Sequence, residues 1–206
     1  MGALEEEGLV TRHRGLGTFV AEPKMRRRTE NVWSFTAEAL ALGLQPSSTL
    51  LEFEIIRPAA DIVTLLELEP KDADVYKFTR IRRVNGEPLM LETSFYPTYI
   101  YPNLSQEMLE THSFYSLLSQ VGIVPYSAVD SYEAVKFSHE ETTLLDCKAG
   151  SIGFFHQRQT RTEKGQLFEL TQSLIRGDRV RLDITLQKDS VTFARSIHGQ
   201  TAEAAE

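Results

Sequence analysis

What this chain can fold into is constrained first by a hairpin that its sequence carries twice. The stretch VYKFTRIRRVNGEPLMLETSFYP turns at Asn85-Gly86, a dipeptide that accepts the positive φ angles of a two-residue hairpin turn. The stretch GFFHQRQTRTEKGQLFELTQSLIR turns at Lys164-Gly165. With a constant offset of 79 residues, Thr64-Leu65-Leu66 falls on Thr143-Leu144-Leu145, Arg82 on Arg161, Gly86 on Gly165, Leu91 on Leu170 and Ser94 on Ser173. Seven identities in 32 ungapped positions are weak as a statistic. Their weight comes from order: helix, loop, strand, turn and strand recur in the same sequence. The repeat predicts an α+β domain with one antiparallel sheet and flanking helices, built from two similar halves. A cleft for a small molecule fits between such halves.

The other elements follow from periodicity. Trp33, Ala37, Leu40 and Leu44 approximate a helical stripe, ended by Gly43 and Pro46, with Ser34 or Thr36 as N-cap. Strands are expected over 49–57 and 126–136, and helices over 60–67, 105–110, 113–120 and 138–147. A last strand fits RVRLDITLQ, and the tail over 191–206 is expected to be disordered. No apolar run approaches the roughly 20 residues that cross a bilayer, and the acidic first residues carry no signal peptide. The single cysteine, Cys147, excludes an intrachain disulfide and a cysteine-cluster metal site. It fits a reducing, cytoplasmic compartment.

Charge is unevenly spread. The net charge is −7, yet residues 10–30 carry +4 and residues 31–206 carry −8. The basic part contains LVTR and GTFVAE, two short strands around the turn HRGLG. Arg12, His13, Arg14, Gly15, Gly17 and Thr18 stand at or near the tip of this ribbon, where a phosphate backbone can be met. Residues 22–30, EPKMRRRTE, read as a linker; a plain solvated basic linker is the bland alternative.

In the sheet, Arg80 and Arg82 lie two apart on one strand, so both side chains leave the same face. Two guanidinium forks side by side hold a phosphate or carboxylate; a solvent-facing arginine ladder is the alternative. Glu92 and Glu169 lie on the return strands among apolar neighbours, where a carboxylate is costly unless it accepts hydrogen bonds, as from a ligand's hydroxyls or ammonium group; exposure on the solvent face or pairing with an arginine is the alternative. Arg158 and Arg176 read as alternative anion partners or as salt-bridged structural residues. None of the five histidines stands in an obvious nucleophile or metal arrangement, so neither a catalytic residue nor a metal or other cofactor is expected.

The segment ALEEEGLVTRHRGLGTFV closely resembles the end of the recognition helix and the wing of GntR-type winged helix-turn-helix regulators. SFTAEALALGL, the first hairpin, SFYSLL, FELTQS and RGDRV resemble the effector-sensing UTRA domain of the HutC branch of that family. The resemblance implies a chorismate lyase-like sensing domain over 31–190 behind a remnant of the winged helix over 1–21. It also implies a homodimer on operator DNA, released or recruited by a small metabolite. In similar regulators that sense amino-sugar phosphates, the matching positions contact the ligand: Phe35 and Thr36, Arg80 and Arg82, Ser113 and Tyr115, Glu92 and Glu169. Those sensors have a tyrosine where this chain has Ile175, so the effector is expected to be a phosphorylated sugar or a similar small anion rather than a named one. A free-standing binding or dimerisation module and a lyase-like enzyme are the alternatives. The family pattern has further helices upstream of Met1. The 206-residue chain is therefore expected not to bind an operator selectively, which a gel shift checks.

Overall fold

The computed structural model describes residues 10–13, 17–20, 35–69, 74–187 and 190–197. In chain order the elements are β1 (Val10–His13), β2 (Gly17–Val20), α1 (Phe35–Ala41), β3 (Pro46–Ile56), α2 (Ala60–Leu65), β4 (Val75–Val84) and β5 (Glu87–Pro97). A 3-10 turn at Thr98–Ile100 leads to α3 (Gln106–Thr111), α4 (Phe114–Gln120), β6 (Ser127–Lys136), α5 (His139–Leu144), β7 (Ile152–Arg161), β8 (Leu167–Arg176), β9 (Val180–Gln187) and β10 (Ser190–Ile197). The chain divides into two compact units, residues 31–176 and the two ends, 1–30 with 177–206.

The larger unit is one six-stranded antiparallel sheet in the order β3-β4-β5-β8-β7-β6. The expected two halves meet where β5 pairs β8, from Met90↔Ile175 to Phe95↔Leu170. Helices cover both faces. On one, α3 and α4 pack Leu109, Phe114, Leu117 and Leu118 against Tyr76, Phe78 and Tyr96. On the other, α2 packs Ile62 and Leu66 against Phe95 and Leu170. Two of the short helices are capped by side chains: Ser105 accepts from Met108 N ahead of α3, and Ser138 with Glu141 forms a capping box at α5.

The repeat is preserved residue by residue in its helices. α2 and α5 are offset by 79, and each runs into a buried leucine, Leu66 or Leu145. The next residue is left-handed in both, Glu67 at φ 54 and Asp146 at φ 48. The hairpins differ by one residue. β4 and β5 close through Asn85-Gly86 and bulge at Leu89. β7 and β8 close through Glu163, Lys164 and Gly165 and bulge at Phe168. Matching the bulges keeps the offset of 79 for β5 on β8 but makes it 78 for β4 on β7. The constant offset therefore mismatched the outgoing strands: Arg82 corresponds to Thr160 rather than Arg161, and Arg80 corresponds to Arg158. A one-residue insertion in a turn moves a whole strand by one register step, which an ungapped alignment cannot follow.

In the other unit, β1 and β2 pair from Val10↔Val20 to His13↔Gly17. Arg12, His13, Gly17 and Thr18 thus lie on the expected hairpin, while Arg14, Gly15, the recognition-helix end and the linker over 22–30 lie outside the described residues. The expectation of a disordered tail from 191 is corrected: β10 pairs with β9 from Ser190↔Gln187 to Ile197↔Val180. The alternation Val191, Phe193, Arg195, Ile197 against Thr192, Ala194, Ser196 is a strand pattern that the acidic residues beyond it obscured.

At Gly153 a β-carbon would sit 2.2 Å from Ile175 O and 2.3 Å from the Phe137 ring. Gly153→Ala is expected to cost about 3 kcal/mol in urea unfolding. Gly165→Ala, with open space but φ +79, is expected to cost only about 1–2 kcal/mol.

Candidate functional site

The site is set by cross-strand register. On β4, Arg80 and Arg82 leave the face that α3 and α4 cover. Arg80 stands opposite Leu50 on one side and Glu92 on the other; Arg82 stands opposite Ser48 and Met90. Beside them lies a cleft of about 200 Å³. Thr36 of α1, Pro46, Ser47, Ser48 and Leu50 of β3, both arginines, and residues 109–113 between α3 and α4 line it. Of the expected residues the cleft brings together Thr36, Arg80, Arg82 and Ser113. Ser113 precedes α4 as its N-cap, and its side chain makes no capping hydrogen bond.

The two arginines differ in how their charge is met. Arg82 donates to Glu92 Oε1 through Nε at 2.9 Å and through Nη2, and to Ser48 Oγ at 2.9 Å. Its guanidinium lies 5.4 Å from the ring centroid of Phe35, which opens α1. Burial raises the Glu92 carboxyl, but the charge and hydrogen bonds of Arg82, with the charge of Arg80, outweigh it and hold the group below the usual carboxylate range. Glu92 and Phe35 thus flank the cleft through Arg82.

Arg80 is 2% exposed. It donates Nη2 to Leu109 O at 2.9 Å and lies 4.8 Å over the Phe78 ring, and its Nε meets no hydrogen-bond acceptor. Burial, and next the charge of Arg82, press its guanidinium down to about 10, against the pull of Glu92. One carboxylate faces two guanidinium groups, and the arginine without its own carboxylate is the buried one. Such a site favours an anion.

Tyr115 and Glu169 do not line this cleft. They meet each other: Tyr115 Oη donates to Glu169 Oε2 at 2.5 Å. Tyr96, Thr160 and Thr171 also donate hydroxyls to Glu169, which is 4% exposed. The hydrogen bonds this buried carboxylate requires come from the protein itself. Burial, and then the charge of Glu169, hold the Tyr96 and Tyr115 phenols well above their ordinary value. Arg158 gives Nε and Nη2 to Asp130, both at 2.7 Å. Arg176 bonds the carbonyls of Pro88, Leu145 and Asp146. Arg158 is thus a salt-bridged structural residue, one of the two readings the sequence left open, whereas Arg176 is held by backbone carbonyls.

Sequence reasoning missed Ser47, Ser48, Leu50 and His112, all of which line the cleft. The serines and Leu50 reach it by pairing with β4 in a register that shifts at Leu51, for which the sequence carries no signal. The His112 ring stands 2.7 Å from Thr111 Oγ1 at the cleft's rim. Among the described residues no group of His, Cys, Asp and Glu could hold a metal ion. None of their helices is long and apolar enough to cross a membrane.

Comparison with known proteins agrees with this architecture. Residues 41–181 match the family model described as the UTRA domain. The chain is 29% identical over 177 residues to the HTH-type transcriptional repressor NagR of Bacillus subtilis, spanning 85% of this chain and 72% of that protein. It is 28% identical over 158 residues to the histidine utilization repressor of Pseudomonas putida, spanning 76% of this chain and 62% of that protein. The crystal structure of PhnF from Mycobacterium smegmatis superposes with a TM-score of 0.69 at 26% identity, covering 86% of this chain and 77% of that one.

The two raised phenols make a test by titration. A raised folded pKa stabilises below the unfolded tyrosine value of about 10 and is lost as pH rises through the folded value. In an alkaline titration followed by phenolate absorbance, two of the seven tyrosines are expected to ionise only as the chain unfolds. Tyr96→Phe and Tyr115→Phe are each expected to remove one of them from that late phase.

Proposed function

Because the chain belongs to the UTRA-domain family of GntR-type, HutC-branch transcription regulators, we propose that its cleft binds a small anionic metabolite and that this binding modulates operator DNA. The carrying observation is Arg80, a buried guanidinium whose Nε meets no acceptor beside a cleft rich in hydroxyls. An anion there gains charge-assisted hydrogen bonds without stripping a carboxylate from its existing partner. Thr36, Ser47, Ser48 and Ser113 supply hydroxyls to the remaining oxygens. A phosphorylated sugar or a similar anion fits this chemistry, and the proposed role is that of a sensor rather than a catalyst.

The proposed route to DNA runs through Phe35. An anion that draws on Arg82 alters its hold on the first residue of α1, which the basic segment over 22–30 connects to the β1–β2 hairpin. Linkage then requires that DNA alter the affinity for the effector by the same factor. We read the working form as a cytoplasmic homodimer, with the β1–β2 hairpin as a wing on the DNA backbone through Arg12, His13, Arg14, Gly15, Gly17 and Thr18.

A thermal-shift screen of phosphorylated sugars and organic acids tests the reading, since a ligand bound to the folded state raises Tm by mass action. Arg80→Ala and Arg82→Ala are each expected to weaken the best ligand about tenfold or more, at about 1.5–3 kcal/mol per charged hydrogen bond. Arg57→Ala, a surface residue paired with Asp74 at 3.2 Å, is expected to leave the response unchanged. Parent-like responses from both cleft variants remove the reading.

A further inference from the structure

His112 stands exposed at the rim of the cleft, and one of its ring nitrogens is already committed. Thr111 is the last residue of α3, and its hydroxyl donates to Glu107 O at 2.8 Å, with Met108 O at 3.5 Å. A carbonyl oxygen only accepts, so the single hydroxyl proton of Thr111 goes to the backbone. The same Oγ1 lies 2.7 Å from His112 Nδ1. With its proton spent, Oγ1 accepts in that contact, and Nδ1 carries the hydrogen. The neutral imidazole is thereby fixed in its Nδ1–H form. Nε2 keeps the ring's lone pair and is the atom where a second proton goes.

The charged groups that line the cleft with this ring are Glu110 of α3 and Arg80 and Arg82 of β4. Glu110 accepts from Gln106 Nε2 at 2.8 Å, and Glu92 of β5 reaches the cleft through Arg82. From α1, β3 and the start of α4 come Thr36, Ser47, Ser48 and Ser113, which carry no charge. Carboxylates and guanidinium groups change charge far from neutral pH. An imidazole changes charge across it, which sets His112 apart in this lining.

We propose that His112 is the proton-dependent contact of the cleft: a bound oxyanion is accompanied by a proton that Nε2 takes from solvent, and the imidazolium donates Nε2–H to the anion. The inference rests on the reading that the cleft takes an anion, and adds control of that site by pH. The sign follows from linkage. An anion binds the imidazolium more tightly than the imidazole, so binding draws in a proton, and a falling pH strengthens binding by the same coupling. Affinity is lowest where the ring is neutral, rises as pH falls through the imidazole range, and levels off where the ring is charged with and without ligand. One concentration of metabolite then fills the site to different extents at different pH.

Inorganic sulfate is the probe, because its charge is constant between about pH 5 and 8, where an imidazole changes charge. Calorimetry on the 206-residue chain reads the affinity and, from the buffer dependence of the enthalpy, the proton taken up. The parent is expected to bind sulfate about three- to tenfold more tightly at the lower pH than at the higher, with proton uptake between. His112→Asn keeps an amide N–H for Thr111 Oγ1 but has no titrating nitrogen. It is expected to hold the parent's weaker affinity at both pH values and to take up no proton. His112→Gln, a second chain without a titrating group at this position, is expected to be equally flat. Nitrogen-resolved spectra of the histidine rings check the tautomer: the ring signal that His112→Asn removes is expected to show Nδ1 protonated and Nε2 bare at the higher pH. A parent whose sulfate affinity ignores pH, a pH dependence that survives in both variants, or an Nε2–H tautomer overturns the proposal. If that occurs while Arg80→Ala abolishes sulfate binding, the anion reading stands and only the role of His112 is wrong. A parent that binds neither sulfate nor phosphate at either pH removes both.

Discussion

The pairing of β5 with β8 is the constraint from which the rest follows. Each hairpin alone is a marginal structure, and joining the two return strands makes one sheet with helices on both faces. It also buries most of β5 and β8. Ser94, Thr171 and Ser173 are consequently buried, with Glu92 and Glu169 beside them. Buried polar groups are costly unless hydrogen-bonded within the protein; most of these are, Ser173 Oγ excepted, and their side chains form rows across the sheet in register with the backbone pairing.

Those rows explain why one face is a set of charge-compensated groups with a single imbalance. Glu169 is answered by four hydroxyls, Asp130 by Arg158 and His156, and Glu92 by Arg82. Burial works against the ionised form at Asp130, yet its hydrogen bonds with Arg158 and His156 hold it well below the usual carboxylate range. Arg80 alone among these cations has a carbonyl and an aromatic face where the others have a carboxylate. A buried cation in that condition is costly to the fold, and its position beside an open cleft relates the cost to binding.

Much of this was legible before any coordinates. Asn85-Gly86 and Gly165 marked both turns, and period-two alternation placed Arg80 and Arg82 on one face. The constant offset located α2 and α5 together with their left-handed caps. It failed on β7 because one extra turn residue shifts a strand's register without leaving a trace in composition. The same limit hid Ser48 and Leu50, whose relation to the arginines depends on where β3 pairs and where it bulges. Glu92 and Glu169 looked equivalent as carboxylates on return strands. Their partners come from other strands and from α4, so their different roles could not be read locally.

The sequence by itself determined most of the elements, the duplicated plan and the family, because turn chemistry, alternation and spacing are local properties carried by neighbouring residues; β10 is the exception. The tertiary structure decided which of the charged side chains are compensated. That decision depends on register across strands distant in sequence, where a single bulge or turn residue exchanges one partner for another. Leu50 and Asp130 are two unremarkable residues on two edge strands until the sheet is assembled. Assembly places one against Arg80 and the other against Arg158, and gives only the second arginine a carboxylate from its edge strand.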